Sequence, residues 1–208
     1  MSFIKTLMTN CAVIALCMLT VIAPAQADSR IERASTLVKD MADAVKIAVE
    51  ADYASDDARI AAVDGLIDTY FDFHGITRFS AGRYWKKATE EERETYSVLF
   101  RKVLTGLAAR QFDQLKGLNY TVTDAVSKGK KLVLVTGVMS DPTGAQADAV
   151  VSWRVSTKEG EAPLIIDVEI ENISMLITQQ QENTAIIRKN GGKFSSLIQV
   201  LQDTASTL

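Results

Sequence analysis

Residues 164–172 read L-I-I-D-V-E-I-E-N, and from residue 166 onward apolar and acidic side chains alternate without a break. A period of two is typical of a β-strand, in which successive side chains point to opposite faces of the sheet. We therefore predict a strand whose apolar face carries Ile166, Val168 and Ile170. The other face is predicted to be solvated, because antiparallel sheets commonly have one face in water. Its residues are Asp167, Glu169 and Glu171.

Three more segments rich in Val and Ile precede this strand, at residues 120–126, 131–139 and 147–156. Short connections with turn residues separate the four segments, and short connections favour consecutive antiparallel hairpins. The connections are Lys128-Gly129, Asp141-Pro142-Thr143-Gly144 and Lys158-Glu159-Gly160. The sequence therefore predicts a curled, four-stranded, mainly antiparallel sheet.

Helical spacing dominates the chain before the sheet. A first helix is predicted from Ile31, and its apolar face is Ala34, Val38, Met41, Val45 and Ala48. A second is predicted from near Ser55, and it carries Ile60, Val63, Ile67, Tyr70 and Phe71. The third begins with a capping box, Thr89 and Glu92, and is predicted to run to about Lys116, where Gly117 ends it.

Two helices are predicted after the sheet. The first covers residues 175–190 and stops at Gly191-Gly192, a pair typical of helix ends. The second is short and carries Phe194, Leu197, Ile198 and Leu201. Amino-terminal helices, a curled sheet and carboxy-terminal helices together indicate an α+β fold. A sheet with one apolar face, covered by such helices, can enclose either a packed core or a pocket.

The first 27 residues have the pattern of a secretory signal peptide. Lys5 gives a positive start, residues 11–22 are apolar apart from Thr20, and Ala25-Gln26-Ala27 is a small-x-small cleavage site. The apolar stretch is shorter than the roughly 20 residues that cross a bilayer as a helix. We predict cleavage of residues 1–27 after Ala27, export, and a single domain over residues 28–208.

Composition restricts the chemistry of the exported chain. Of 23 basic and 26 acidic residues, loss of Lys5 leaves 22 basic, so the formal charge changes from −3 to −4 and argues against a nucleic-acid partner. Cys11 and Cys17 leave with the signal. His74 is the single histidine, predicted at a helix end or on the surface, so a Cys-His dyad and a site of several histidines are excluded. The sequence predicts no catalytic group, no metal and no cofactor.

Two separated blocks of sequence carry a family resemblance. Residues 81–93 read A-G-R-Y-W-K-K-A-T-E-E-E-R and are followed by Tyr96 and Phe100. The second block contains Trp153-Arg154-Val155, then residues 166–175 and 187–192 in the same order and at similar distances. In these blocks the chain resembles the MlaC family, also called the toluene-tolerance family, of periplasmic phospholipid-binding proteins.

The resemblance implies a fold similar to the NTF2-like cone with an apolar cavity. It also implies a periplasmic carrier that moves phospholipid between the outer and inner membranes and maintains outer-membrane lipid asymmetry. The implied partners are an inner-membrane ABC transporter complex and an outer-membrane lipoprotein complex of the Mla type. Two positions depart from the family pattern. Asn172 replaces the usual Gly, and residues 180–183 replace a Tyr-Arg-x-x-Phe type of sequence. Since Asn tolerates a left-handed backbone, we expect the turn at Asn172 to survive.

Inward strand positions and facing helix residues are the predicted lipid-binding set. They are Phe71, Phe79, Tyr84, Phe100, Leu104, Val133, Val135, Val151, Trp153, Val168, Ile170 and Met175. The same stripes also build an ordinary core, so packing is the alternative for each residue. Four cations are predicted to meet a phosphate headgroup at the cavity mouth or to contact a docking partner, since guanidinium groups match phosphate oxygens. They are Arg78, Arg83, Lys86 and Lys87.

Two other functions stay open from the residues alone. An NTF2-like enzyme acting on an apolar ligand would need Asp167 or another carboxylate in the pocket, as a base or a cation ligand. A non-catalytic adaptor would have a filled core and an exposed apolar patch that binds protein.

Overall fold

The structure, a computed structural model, describes residues 23–208, with side chains from Ser29 onward. The apolar stretch of the predicted signal peptide lies outside the described residues. The helices are α1 (Ala23–Glu50), α2 (Asp56–Tyr70), α3 (Phe73–Ser80), α4 (Glu90–Arg110), α5 (Phe112–Leu115), α6 (Met175–Lys189) and α7 (Ser195–Ala205), with a 3-10 turn at Gly82–Tyr84. The strands are β1 (Asn119–Lys128), β2 (Leu132–Ser140), β3 (Ala149–Ser156), β4 (Leu164–Ile170) and β5 (Ile173–Ser174).

The five strands form one sheet in the order β1-β2-β3-β4-β5, and each neighbouring pair is antiparallel. The predicted α+β class and the order of the hairpins are therefore confirmed. So is the prediction that helices precede and follow the sheet along the sequence. The difference from four strands is β5, a two-residue strand that pairs with the end of β4 through Ile170 and Ile173. Two residues are too few to produce a readable alternation.

A β-bulge changes which residues of β4 face inward. Trp153 pairs with Val168 and Arg154 with Asp167, but Val155 then pairs with Ile165, so Ile166 has no partner on β3. The extra residue places Ile165, which is fully buried, on the same face as Val168. The predicted inward position of Ile166 is therefore wrong, because strict alternation cannot include a bulge.

The predicted solvated face of β4 is also wrong at two of its three residues. Asp167 and Glu169 are 7% and 8% exposed, because α6 packs over this side of the sheet. The Asp167 carboxylate accepts hydrogen bonds from the Ser174 hydroxyl at 2.6 Å and from the Leu176 amide at 3.0 Å, at the positive start of α6. Arg154 Nε donates to Glu169 Oε1 at 2.5 Å. Each buried carboxylate is thus paired.

The turn after β4 uses the left-handed backbone that the sequence indicated. Asn172 has φ of +64° and Glu171 has φ of +50°. Glu171 is exposed as predicted, and its carboxylate accepts a hydrogen bond from the Val150 amide at 2.7 Å. This bond joins the turn to the neighbouring strand β3.

The predicted helices are present, with one break. Ser55 caps α2 through a bond from the Ala58 amide at 3.2 Å, and the capping box of Thr89 and Glu92 is formed in both directions. The third predicted helix does not run to Lys116. It ends at Arg110, and a separate turn, α5, follows after Gln111. His74 is exposed in α3, a helix that the sequence did not predict.

A buried hydroxyl ties three helices together away from the sheet. Tyr96 of α4 is fully buried, and its hydroxyl lies 2.7 Å from the Ser80 hydroxyl and accepts a bond from Asn183 Nδ2 at 3.0 Å. Burial raises the pKa of Tyr96. Asn183 also donates to the Ser80 carbonyl at 3.1 Å, so this departure from the family pattern has a structural role. Among the described helices, none combines the length and the apolar character that spanning a membrane requires.

Candidate functional site

A cavity of about 620 Å³ lies between one end of the sheet and helices α1, α2, α3, α4 and α5. The sheet supplies side chains from four strands. They are Tyr120, Met139, Ala149, Val151, Trp153, Val168 and Ile170. The helices supply Met41, Val45, Val49, Val63, Leu66, Ile67, Leu104, Ala108, Phe112 and Leu115, among others. The wall is therefore apolar on both sides.

Register explains why the cavity lies at this end. On the inner face of the sheet, Val133 pairs with Val155, which pairs with Ile165, and all three are fully buried. Ala34 and Val38 of α1 pack on this row, so that end is filled. At the opposite end, Val151 pairs with Gly137 and Ile170, and the chain leaves open space between this row and the helices.

Gly137 makes room for an aromatic ring that crosses the sheet surface. A Cβ at this position would lie 2.5 Å from the Thr121 carbonyl oxygen and 2.5 Å from the Tyr120 ring. The Tyr120 hydroxyl consequently reaches β3 and donates to the Val151 carbonyl at 3.1 Å. Burial raises the pKa of Tyr120 to about 12, and the nearby Trp153 indole partly opposes this rise.

Trp153 is the centre of the sheet wall. Its ring packs edge-on against Phe71 and Tyr120, with ring centroids 6.3 and 6.4 Å away. Its indole Nε1–H is buried and makes no hydrogen bond of regular geometry within the described residues.

Of the 26 lining residues in the described part of the chain, four carry non-aromatic polar side chains: Asp43, Lys46, Gln111 and Asn119. Three of them are exposed and Asn119 is half-buried, so they mark the mouth of the cavity. Lys46 Nζ donates to Asn119 Oδ1 at 2.9 Å, which joins α1 to the start of β1 across this mouth. The cavity thus combines an apolar interior with a polar rim.

The structure brings six of the twelve predicted lipid-binding residues into the cavity wall: Phe71, Leu104, Val151, Trp153, Val168 and Ile170. Their role in binding lipid stays a prediction. The other six lie elsewhere. Val133 and Val135 are fully buried under α1, Tyr84 and Phe100 belong to the core around Tyr96, and Phe79 and Met175 do not line the cavity.

Sequence reasoning missed most of the helical side of the cavity, apart from Phe71 and Leu104, and it missed the rim. Met41, Val45, Val63 and Ile67 were identified as inward helix residues, but nothing in their spacing distinguishes a residue that borders space from one that borders a neighbour. The mouth was also misplaced. The sequence signal that could have located it is the pair Asp43 and Lys46, two charges close to the apolar stripe of α1.

The four predicted cations lie away from this mouth, and none of them lines the large cavity. Arg78 and Lys86 line a second cavity of about 290 Å³, together with Phe79, Trp85 and Gln180. Arg83 and Lys87 lie over the ring of Tyr84, 5.1 and 5.9 Å from its centre. Their headgroup role at the large cavity is therefore not supported by their position, and a docking role stays a prediction.

Asp167, the carboxylate named for the enzyme alternative, is not in the cavity. Asp167 does not line the wall, and its carboxylate is bonded to Ser174 and Leu176 on the opposite side of the sheet. Within residues 23–208, no cluster of three His, Cys, Asp or Glu side chains has the arrangement of a metal site.

These features define an α+β protein that holds an open apolar cavity with polar groups at its rim, in the size range of roughly 300–1,000 Å³ typical of ligand pockets. The chain belongs to the MlaC protein family, whose model matches residues 36–203, and the family resemblance read from the sequence is confirmed. Among solved structures, the chain is similar to a phospholipid-binding protein from Ralstonia solanacearum in complex with a phospholipid. The two are 20% identical with a TM-score of 0.70, over 84% of this chain and 97% of that one.

Proposed function

We propose that this protein is a phospholipid carrier that holds acyl chains in the large cavity and leaves the headgroup at the rim. The observation that carries the proposal is the cavity itself, about 620 Å³ with a largely apolar wall and with its non-aromatic polar side chains at the mouth. Membership of the MlaC family supports it, as does a similar fold whose described complex contains a phospholipid.

The energetics favour a carrier of this form. Each methylene removed from water gains ~0.8 kcal/mol, so two acyl chains represent a gross term of order 20 kcal/mol. A lipid therefore leaves a bilayer slowly unless it enters another apolar environment. A cavity lined by Leu104, Val151, Trp153 and Val168 supplies that environment.

Among the three functions left open by the sequence, the cavity favours the carrier. An adaptor that binds only protein has no need of internal space, since its core can be filled. The enzyme alternative loses its named base, because Asp167 is bonded to Ser174 and Leu176 away from the cavity. Binding of lipid requires no catalytic group, so the proposed function is that of a carrier and not of an enzyme.

The transport role is the finer part of the proposal. Residues 1–27 have the pattern of a cleaved signal peptide, which indicates export to the periplasm. There the protein would receive phospholipid from one membrane complex and deliver it to another, as the family resemblance implies for an outer-membrane lipoprotein complex and an inner-membrane ABC transporter. The function would be to maintain outer-membrane lipid asymmetry.

The first test is native mass spectrometry of the exported protein, purified from a bacterial periplasm without detergent, with lipids extracted and identified in parallel. We expect a stoichiometric phospholipid adduct. A bare mass, unchanged after incubation with phospholipid vesicles and with a lipid-loading partner, would overturn the proposal.

A matched pair of variants assigns the binding to this cavity. Val151 is 4% exposed in the cavity wall, whereas Val126 is 41% exposed on strand β1 and does not line the cavity. Val151→Glu places a charge among apolar side chains and is expected to abolish the adduct, while Val126→Glu keeps it. Circular dichroism and an unfolding curve check that both variants fold. An adduct retained by folded Val151→Glu would place the lipid elsewhere.

A further inference from the structure

We infer that the rim of the cavity selects a zwitterionic headgroup, with a phosphate at Lys46 and an ammonium at Asp43. The inference rests on the proposed function and deepens it, because it names the class of phospholipid. Among the described residues that line the cavity, Lys46 and Asp43 are the only ones with formally charged side chains. They have opposite signs, so the rim has no net charge.

The two charges are held close to one another on the same helix. Asp43 and Lys46 lie three residues apart on α1, and such residues are neighbours on a helix surface with Cβ atoms about 5–6 Å apart. Among the ion pairs of the described residues, none joins these two, and both side chains are exposed. A ligand that enters the cavity therefore meets a cation and an anion side by side.

Lys46 is positioned as a phosphate contact. Its Nζ donates to Asn119 Oδ1 at 2.9 Å, so the ammonium lies between α1 and the start of β1, and both residues line the cavity. An ammonium has three donors, so two remain for phosphate oxygens. Gln111, also on the rim and exposed, adds a neutral amide on the side of α4 and α5.

Asp43 makes the rim discriminate between headgroups. A phosphate linked through two carbons to an amine presents its negative and positive groups at a short separation, which suits a helical i,i+3 pair of opposite charges. A headgroup that carries only the phosphate charge would satisfy Lys46 but would leave Asp43 facing an anion without compensation. The same carboxylate therefore attracts one class of lipid and repels the other.

The size of the expected headgroup preference follows from the exposure of Asp43 and Lys46 to solvent. Exposed ion pairs contribute ~0.2–1 kcal/mol, so the expected preference for the zwitterionic lipid is about 1.4- to fivefold at low ionic strength. It decreases with added salt, because screening acts strongly on charges at the surface.

The test is competitive loading from vesicles that contain equal amounts of phosphatidylethanolamine and phosphatidylglycerol with identical acyl chains, read as the ratio of adducts by native mass spectrometry. The wild-type protein is expected to favour phosphatidylethanolamine. Asp43→Lys makes the rim doubly positive and is expected to reverse the ratio. Asp40→Lys is the matched control, since Asp40 is exposed on the same helix and does not line the cavity, and it should behave as wild type.

The outcomes separate this inference from the proposed function. If both lipids load equally and Asp43→Lys leaves the ratio unchanged, the inference is wrong while phospholipid binding stands. If Asp40→Lys shifts the ratio as much as Asp43→Lys, net charge rather than the rim sets the preference, which also overturns it. If neither lipid forms an adduct with the wild-type protein, the proposed function itself fails.

Discussion

The two ends of the inner sheet face carry the same kinds of residue, but one end is packed and the other borders a cavity. At one end, Val133, Val155 and Ile165 are fully buried beneath α1. At the other, Val151, Val168 and Ile170 border about 620 Å³ of open space. Since aliphatic strand residues form both ends, the difference arises from how closely the helices approach each row of the sheet.

This comparison shows what produces a pocket in an otherwise well-packed protein. The first half of α1 lies directly on the sheet through Ala34 and Val38, whose burial is complete. The second half, from Met41 to Val49, borders the cavity. A helix that contacts the sheet closely only along part of its length leaves the remaining apolar surfaces available for a ligand.

The largest expected effect comes from truncating the same residue type at the two ends of one strand. Ile165 is fully buried in the packed end, and Ile170 is 43% exposed at the cavity. Ile165→Ala should lower the free energy of unfolding by about 2–5 kcal/mol, because it leaves a void that close-packed neighbours cannot fill. Ile170→Ala should cost less than about 1 kcal/mol. Urea unfolding curves of both variants measure the difference.

Equal losses for the two variants would contradict the division into a packed end and an open end. Both proteins should be compared after removal of bound lipid, because a ligand that binds only the folded state adds to the apparent stability. With lipid present, Ile170→Ala is expected to lose more than it does without lipid.

This comparison also explains how much the sequence could predict. Alternation, turn residues and helical spacing predicted the α+β class, the hairpin order and the helix starts at Ser55 and Thr89. These features depend on interactions between residues that are close neighbours in the chain. The bulge at Ile166 depends on how β3 pairs with β4, and the burial of Asp167 depends on α6. The pattern of residues 164–172 cannot indicate either interaction.

The candidate site was predicted in part for the same reason. Apolar inward positions were identified, and six of the twelve line the cavity. Val133 and Val135 do not, because the approach of α1 is set by packing over the whole domain and not by their own spacing. The rim residues Asp43 and Lys46 looked like ordinary surface charges until the structure placed the opening beside them.

The second prediction concerns the glycine that shapes the open end. At Gly137 a Cβ would lie 2.5 Å from the Thr121 carbonyl oxygen, which is backbone and cannot move aside cheaply, and would displace the Tyr120 ring. Gly137→Val should lower the free energy of unfolding by about 1–3 kcal/mol and reduce lipid loading. The same change at exposed Gly65, which has no atom within 4 Å of a built Cβ, is the matched control. Because Val has a higher helix propensity than Gly, this control should not be destabilised and is expected to gain less than about 1 kcal/mol.

The third prediction fills the cavity without disturbing the packed end. Ala108 lies on α4 and lines the open space, so Ala108→Phe should occupy room that a lipid needs. Displacement of two methylenes costs about 1.6 kcal/mol, which corresponds to a decrease in lipid affinity of about 15-fold. A fluorescent-lipid displacement assay measures this decrease. Ala61→Phe, on the exposed side of α2, should leave affinity unchanged. Unaltered binding by Ala108→Phe would show that lipid does not enter this part of the cavity.

The smallest expected effect is the pH dependence of stability that a buried tyrosine in each region contributes. Tyr120, at the cavity, has its pKa raised by burial to about 12 from an ordinary value of 10.0, and Tyr96, in the core around α4, also has a raised pKa. A raised pKa means that the folded state favours the neutral phenol. The stability that Tyr120 contributes in this way is complete below pH 10.0 and is lost as the pH rises toward about 12. The free energy of unfolding, measured across this range, should therefore fall more steeply for the wild-type protein than for Tyr120→Phe, while Tyr96 affects both proteins equally.

The same tyrosine also reports on bound lipid. Lipid excludes more water from the Tyr120 hydroxyl and should move the ionisation of Tyr120, followed by tyrosinate absorbance, to higher pH. A titration that lipid does not change would place the acyl chains away from Tyr120, and hence away from the wall that Gly137 shapes.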